Sequence, residues 1–409
     1  THPEVRSALV TTRGEGQDMQ LVAFINAQDP DNPPVAGALR QWAGQHLPAF
    51  SVPLGYFLAA SIPAGASQKR LGAQALLLQP LAPLADDLPP LTPLQVRVAR
   101  LWARCMNLKG VTLGPDSDFI DIGGSLLLLD LMTRINRAFE TDLTIADITR
   151  DSTVAGISKL LAHRLQGTPL LEVAFSVTAE AERYLARLTT AVASLPQAPR
   201  RLARRTIMVT GATGYLGRRV VAELQQTAGV ETVLCLVRAD DAAQAQRRVA
   251  ELGLSPRTAR VEGLAGDLAQ PQFGLASAAY QRLCQDVDCI IHCAADVNWL
   301  KRYERLAQTN VGGVVEVLGL AAANGAGVVF ASTLPEPVPS TGYNRAKLVA
   351  EHLAIAFCES RGLSLNILRC GDISAPAHPD SGASINQEDY VGLLIRSCLA
   401  LNAWPDEAS

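Results

Sequence analysis

A tyrosine and a lysine stand four positions apart at Tyr343 and Lys347, in a segment whose residues favour a helix. Side chains at i and i+4 lie on one face of a helix, so the phenol and the ammonium form an acid/base pair. A nearby ammonium lowers the pKa of a phenol, and such a tyrosine can protonate a carbonyl oxygen as a hydride arrives. The hydroxyl of Thr333, which follows a strand-like run, can polarise the same oxygen. These three residues predict a site that reduces a carbonyl group.

Three glycines with G-x-x-G-x-x-G spacing follow an apolar strand and open a helix. Glycine lets the backbone turn sharply and approach a pyrophosphate, and a helix N-terminus offers free N–H groups and partial positive charge. The pattern therefore predicts a dinucleotide site. Its predicted binding residues are Gly211, Thr213, Gly214, Tyr215, Leu216, Gly217 and Arg218.

Arg238 ends the second strand of this region. An NAD-preferring fold places a carboxylate at this point for the ribose 2′-hydroxyl, whereas an arginine suits a 2′-phosphate. Arg238 therefore favours NADPH, and Arg218 can add a second positive charge. Asp240 and Asp241 follow closely, so a solvated surface arginine is the alternative.

Alternating strands and helices surround these residues from about position 205 onward. Strand-like runs cover 206–210, 232–237, 287–292 and 327–332, with helices at 216–225 and 343–359. Such alternation predicts an α/β, Rossmann-type, doubly wound parallel sheet in a domain spanning 205–409.

Segments rich in proline, alanine and leucine near 77–93 and 194–204 divide the remaining chain, which predicts a multidomain protein. Residues 1–80 read as a small α+β subdomain, with strands at 21–25 and 56–61 and a helix at 35–47. Residues 90–165 carry apolar residues at helical spacing, and we expect a four-helix bundle there.

Composition excludes several classes of protein. The 409 residues are 48% hydrophobic with a net charge of −3, so no basic surface for nucleic acid is indicated. The longest apolar runs are far shorter than the ~20 residues of a membrane span, and residues 1–20 lack a signal-peptide core, so we expect a soluble, cytoplasmic chain without a membrane partner. Cys289, His292 and Cys293 resemble a metal cluster but lie in an apolar run, so we expect core residues and no metal site.

Several motifs resemble the extended short-chain dehydrogenase/reductase family, and within it the thioester reductase domains of nonribosomal peptide synthetases and carboxylic acid reductases. They are GATGYLG, CLVRA, GDL at 266–268, HCAADVN at 292–298, NVGG at 310–313 and GYNRAK at 342–347. The resemblance covers about 205–375. It implies that Asp267 and Leu268 flank the adenine, that Ala294 and Ala295 contact the dinucleotide, and that Lys347 also holds the nicotinamide ribose.

Two departures from this family stand out. Thr333 and Tyr343 are only ten positions apart, closer than is usual. The sequence also stops soon after Trp404, before most of the expected C-terminal substrate-binding part. Either residues are absent from this sequence or the site is unusual.

The stretch around Ser125 resembles a peptidyl or acyl carrier protein, together with residues 91–95 and 152–161. The resemblance implies that a phosphopantetheinyl transferase attaches a 4′-phosphopantetheine arm to Ser125, at a helix N-terminus whose dipole suits the phosphodiester. Ser125 directly follows the glycine pair Gly123 and Gly124, whereas the family has one more residue between the glycines and the serine. A deletion, a residue missing beside Ser125, and a plain helix cap at Ser125 are the alternatives.

Residues 47–53 and 67–69 resemble the C-terminal subdomain of adenylation domains. The resemblance implies that Lys69 reaches the acyl-adenylate, and a plain surface charge is the alternative. The large adenylation subdomain, which this sequence does not contain, is the implied partner.

Together these features predict NADPH-dependent release of a carrier-bound acyl or peptidyl thioester as an aldehyde, with further reduction to an alcohol left open. Non-redox release or cyclisation, and a carrier-docking scaffold with an inactive reductase fold, are the alternatives. A nucleotide-sugar epimerase or dehydratase shares the glycine loop and the Tyr/Lys pair, but residues 90–165 argue against it.

Overall fold

The computed structural model describes residues 2–14, 20–47, 51–62, 76–77, 82–108, 111–122, 127–168, 175–193, 205–253, 258–334, 341–371, 373 and 390–401. The chain divides into two compact units, Thr1–Val173 and Ala174–Ser409. Each unit has its own buried apolar core.

The first unit begins with a four-stranded sheet in the order β1-β2-β3-β4. Its strands are β1 (Val5–Arg13), β2 (Gln20–Ala27), β3 (Gly55–Leu58) and β4 (Ala82–Pro83), and helix α1 (Ala36–His46) lies between β2 and β3 in the chain. Alternate residues of β2 enter two different apolar clusters, because successive strand side chains point to opposite faces. This confirms the small α+β subdomain.

Four helices follow in the same unit: α2 (Pro93–Cys105), α3 (Leu128–Phe139), α4 (Ile145–Arg150) and α5 (Val154–Gln166). Thr92 begins α2 through a capping box with Gln95. Trp102 is fully buried, and its ring centroid lies 5.1 Å from that of Phe119. The four helices confirm the predicted helical bundle.

The second unit contains a six-stranded parallel sheet in the order β10-β9-β8-β5-β6-β7. The strands are β5 (Thr206–Thr210), β6 (Thr232–Val237), β7 (Arg260–Ala265), β8 (Cys289–His292), β9 (Gly327–Thr333) and β10 (Leu365–Cys370). The direction of winding reverses between β5 and β8, and open α/β sheets bind ligands at the carboxyl ends of strands at such a point. The predicted Rossmann-type fold is confirmed.

The described residues of the second unit also form eight α-helices. They are α6 (Val177–Ala191), α7 (Tyr215–Leu224), α8 (Ala242–Ala250), α9 (Ser277–Asp286), α10 (Tyr303–Ala307), α11 (Gly313–Asn324), α12 (Gly342–Arg361) and α13 (Tyr390–Leu401). A π-helical turn, Gln308–Gly312, joins α10 to α11. The unit begins at Ala174, upstream of the expected boundary at 205, because α6 packs against α11 and α12 and buries Leu188 in their core.

One helical segment in the described part of the chain, Tyr303–Asn324, is long and apolar enough to cross a membrane. Its apolar window is 61% buried inside the protein. Leu306, Leu318 and Leu320 on this segment are fully buried in the apolar core of the second unit, as in a core helix of a globular domain.

Candidate active site

The glycine loop lies at the reversal point of the sheet and makes two close approaches. Gly211 follows β5 with φ of 71°, and a Cβ atom there would lie 2.7 Å from the backbone nitrogen of Ala294. A Cβ atom on Gly217 would collide with the carbonyl oxygen of Gly211. Only glycine therefore allows α7 and the segment after β8 to pack directly against this loop.

The N-terminus of α7 fits a phosphate group. Gly214 is its N-cap and offers no side chain to the first-turn amides. Uncapped N–H groups and the helix dipole together favour an anion at this position. The predicted loop residues, including the exposed Thr213 and the half-buried Tyr215 and Leu216, are brought together here.

Basic side chains lie next to this helix end. Arg238 directly follows β6 and is exposed. Arg218 is half-buried, and its Nε atom is buried without a hydrogen-bond partner among the described residues. Arg218 lines a cavity of about 330 Å³ together with Thr213, Arg248, Glu251 and Leu252. Sequence reasoning missed Arg248, whose only signal was a pair of arginines in the last turn of α8.

Asp267 and Leu268 have structural contacts of their own. The Asp267 carboxylate accepts a hydrogen bond from the backbone N–H of Ala269 at 2.9 Å. Leu268 is buried, and a Cβ atom on Gly313 would lie 2.6 Å from its side chain, so Leu268 packs closely beneath α11. Both residues order the turn that follows β7.

A buried hydrogen bond joins the ends of β5 and β8. The Thr210 hydroxyl lies 2.7 Å from Nδ1 of His292 and accepts a hydrogen bond from the Ala294 backbone N–H at 3.4 Å. Burial, with the nearby charge of Lys347, lowers the pKa of His292 to about 3, so its ring is neutral at physiological pH. This contact, which sequence reasoning missed, fixes Ala294 beside Gly211. Ala295 follows, partly buried.

The loop after β8 is held by the π-helical turn. Asn310 is buried in this turn. Its side chain accepts a hydrogen bond from the backbone N–H of Asp296 at 2.7 Å and donates one to the backbone carbonyl oxygen of Asp296 at 3.0 Å. The Asp296 carboxylate pairs with Lys301 at 2.8 Å. Asn298 accepts hydrogen bonds from the backbone of Leu300 and Lys301. Single π-helical turns often mark functional sites, and this one fixes a loop at the sheet edge.

Helix α12 positions the predicted acid/base pair. Thr341 caps its start by accepting the backbone N–H of Asn344 at 3.1 Å. Lys347, one turn after Tyr343, is 3% exposed, and its ammonium donates to the carbonyl oxygen of Ala331 at 2.8 Å. The ammonium also lies 4.9 Å from the ring centroid of Phe330. Lys347 is therefore anchored at the carboxyl end of β9.

The pKa values in this site differ from the sequence-based expectation. Burial lowers the pKa of Lys347 to about 8, against opposing effects of Cys293 and Cys370. Burial, assisted by Cys370, raises the pKa of Tyr343. The expectation that Lys347 lowers the pKa of this phenol is therefore wrong, because loss of hydration dominates.

Thr333 ends β9 and is partly buried opposite Cys370 of β10. Residues 335–340, between Thr333 and Tyr343, lie outside the described residues. The neighbouring Ser332 is buried, and its hydroxyl has no hydrogen-bond partner in the described structure. A serine and a threonine hydroxyl are thus both present at this strand end.

Two predicted sites cannot be placed. Ser125, with the rest of 123–126, and Lys69, within 63–75, lie outside the described residues. The possible metal residues Cys289 and His292 are buried in the sheet, as expected for core residues.

Comparison with known protein families gives two matches. Residues 209–338 and 332–408 match an NAD-binding family described as male sterility protein. Residues 96–161 match the phosphopantetheine attachment site family, which covers the four-helix region.

Similar proteins include glycine betaine reductase ATRR from Emericella nidulans, which is 30% identical over 99% of this chain and 35% of its own length. Isonitrile lipopeptide synthase from Mycobacterium tuberculosis is 27% identical over 98% of this chain and 18% of its own length. The chain thus spans little more than a third of the first relative and less of the second. Among solved structures, the terminal R domain of the myxalamid PKS-NRPS pathway is 32% identical, with a TM-score of 0.47, covering 55% of this chain and 63% of that one.

Proposed function

We propose that the chain releases a carrier-bound acyl or peptidyl thioester as an aldehyde in an NADPH-dependent reduction. Its matches to an NAD-binding family and to the phosphopantetheine attachment site family support this proposal. One observation carries the proposal: the glycine loop and the Tyr343/Lys347 pair both adjoin carboxyl ends of strands in one parallel sheet, in a chain that also contains a carrier region. Parallel strands present their carboxyl ends at one edge, so cofactor and acid/base residues share that edge.

The described residues support NADPH as the reductant. The uncapped N-terminus of α7 would hold the pyrophosphate, and Arg238 with the Arg218 and Arg248 cavity would hold the 2′-phosphate. The unpaired Nε of Arg218 is suited to this role because an anion would satisfy it. When bound, NADPH supplies the hydride for reduction of the thioester carbon.

Tyr343 would donate its hydroxyl proton to the thioester oxygen. A raised pKa keeps the phenol protonated at neutral pH, so it is a hydrogen-bond donor where negative charge develops on the oxygen. Thr333 would donate to the same oxygen, and Lys347 would hold the nicotinamide ribose and orient Tyr343. As the C–S bond of the resulting hemithioacetal breaks, its hydroxyl would return the proton to the Tyr343 phenolate, which leaves the aldehyde. The departing pantetheine thiolate would take a proton from solvent.

The proposal requires two partners and a cellular setting. A phosphopantetheinyl transferase would modify Ser125, or a residue beside it, and a large adenylation subdomain would supply the acyl group, with Lys69 as the adenylation lysine. A cytoplasmic location is the proposed setting, because the eight cysteines are spread singly along the sequence, as expected for reduced thiols.

NADPH oxidation by the acyl-loaded chain tests this function. The chain is converted to its phosphopantetheine form, loaded with an acyl group, and mixed with NADPH. The Tyr343→Phe variant should lower the rate of NADPH oxidation by about 100-fold, the lower end of general acid contributions. Tyr184→Phe, on α6, is the matched control and should leave the rate unchanged.

Two outcomes would reject parts of the proposal. An unchanged rate in Tyr343→Phe would remove Tyr343 from the chemistry. Loss of the thioester without NADPH oxidation would instead support non-redox release, the alternative that the short Thr333-to-Tyr343 spacing leaves open.

A further inference from the structure

Three exposed apolar side chains lie just beyond the carboxyl ends of β8 and β9. Val297 is 62% exposed, Trp299 is 49% exposed and Leu334 is 58% exposed. Single exposed apolar residues are common on protein surfaces, but these three adjoin strand ends at the edge of the sheet that holds the candidate active site. Their location, more than their exposure, calls for an explanation.

Trp299 contacts the proposed proton donor directly. The ring centroids of Trp299 and Tyr343 lie 5.3 Å apart, with the ring planes inclined at 53°. This is within the range of favourable aromatic pairs. The indole ring is therefore a neighbour of the phenol that would meet the carbonyl oxygen of the substrate.

The loop that carries Trp299 is fixed from both sides. Asn310 holds the backbone of Asp296, and Asn298 holds the amides of Leu300 and Lys301. A Cβ atom on Gly342 would lie 2.5 Å from the backbone nitrogen of Tyr303, so the start of α12 packs tightly against the end of this loop. A half-exposed tryptophan on a fixed loop loses little entropy when it binds a ligand.

Two charged residues of this loop are paired with each other. Lys301 and Asp296 form an ion pair at 2.8 Å, with side chains 20% and 35% exposed. The ligand-facing chemistry offered by Val297, Trp299 and Leu334 is therefore apolar. A charged or strongly polar acyl group would lose hydration there without gaining a partner.

We propose that Trp299, with Val297 and Leu334, forms the wall that receives the acyl group next to the thioester carbon and selects apolar, preferably aromatic or branched, acyl chains. This inference rests on the proposed reductase function and names its substrate class. Trp299 is thus a specificity-determining residue, and Tyr343 remains the group that touches the reacting oxygen.

Two free thioesters with the same pantetheine portion test the inference in the full chain. The probes are phenylacetyl-pantetheine and acetyl-pantetheine, with NADPH oxidation as the readout. Trp299→Ala should lower kcat/KM for the phenylacetyl probe about tenfold, and kcat/KM for the acetyl probe less than about threefold, because only the larger group covers the indole ring. Trp299→Phe should retain most of the preference, and Leu165→Ala, an exposed residue on α5, should change neither value.

Every outcome of this experiment is informative. If Trp299→Ala changes neither of the two kcat/KM values, the specificity role is overturned and the reductase function still stands. An equal loss for both probes would also overturn it, since Trp299 would then hold the pantetheine or the cofactor. A wild-type chain that reduces neither probe, although it binds NADPH, would overturn the reductase function and the inference together.

Discussion

Replacement of Lys347 by methionine should stabilise the second unit at neutral pH while impairing reduction. Lys347 is 3% exposed, and burial lowers its pKa from 10.5 to about 8. At about 1.4 kcal/mol for each pKa unit, the protonated lysine costs about 3 kcal/mol of folding free energy at pH 7. The methionine variant avoids this cost but loses the hydrogen bond to Ala331, worth about 1 kcal/mol.

The pH dependence of this difference follows from proton linkage. Between pH 8 and 10.5 the unfolded chain binds more protons at this lysine than the folded chain, so wild-type stability rises with pH in that window. At pH 9 the cost has fallen to about 2 kcal/mol. The advantage of Lys347→Met over the wild type should therefore be smaller at pH 9 than at pH 7 by about 1 kcal/mol.

Urea unfolding with pulse labelling of Cys358 measures this difference for the second unit alone. Cys358 is buried in α12, so a thiol reagent reaches it only when the unit unfolds, and peptide mass spectrometry separates it from Cys105 of the first unit. Arg282→Met, at an exposed position of α9, is the control. An advantage of Lys347→Met that is identical at pH 7 and pH 9 would refute the account of a buried ammonium with a lowered pKa.

Two further substitutions test the cofactor site. Gly211→Ala should weaken NADPH binding at least tenfold in isothermal titration calorimetry. Gly211 has φ of 71°, and a Cβ atom there would meet the backbone of Ala294. Binding within twofold of the wild type would show that the loop can move away. Arg248→Ala should lower affinity for NADPH about tenfold, because one charge-assisted contact is lost, and should leave affinity for NADH unchanged. An equal loss of affinity for both cofactors would place Arg248 away from the 2′-phosphate.

The inner strands of both sheets were predictable, and the four edge strands β1, β4, β7 and β10 were not. The central strands β5, β6, β8 and β9 are buried on both faces, so their sequences are continuous apolar runs. The edge strands β1, β7 and β10 keep exposed positions and contain arginine, glutamate or asparagine. A half-exposed strand has no apolar run to reveal it, and these three were not predicted.

Parts of the candidate site that depend on residues close together in the sequence were predictable, and parts that depend on distant residues were not. The glycine loop and the Tyr343/Lys347 spacing are local patterns, so both could be found in the sequence. The Thr210–His292 hydrogen bond spans 82 positions, and it exists only because β5 and β8 pair in the sheet. The pKa of Tyr343 depends on burial, which the four-residue spacing to Lys347 does not reveal.

The stoichiometry of a single turnover tests the central claim most directly. The acyl-loaded chain is mixed with NADPH, and oxidised cofactor, free pantetheine thiol and aldehyde are counted in the same sample. The account predicts that one NADPH is consumed for each thiol and each aldehyde released. Thiol release without consumption of NADPH would contradict it.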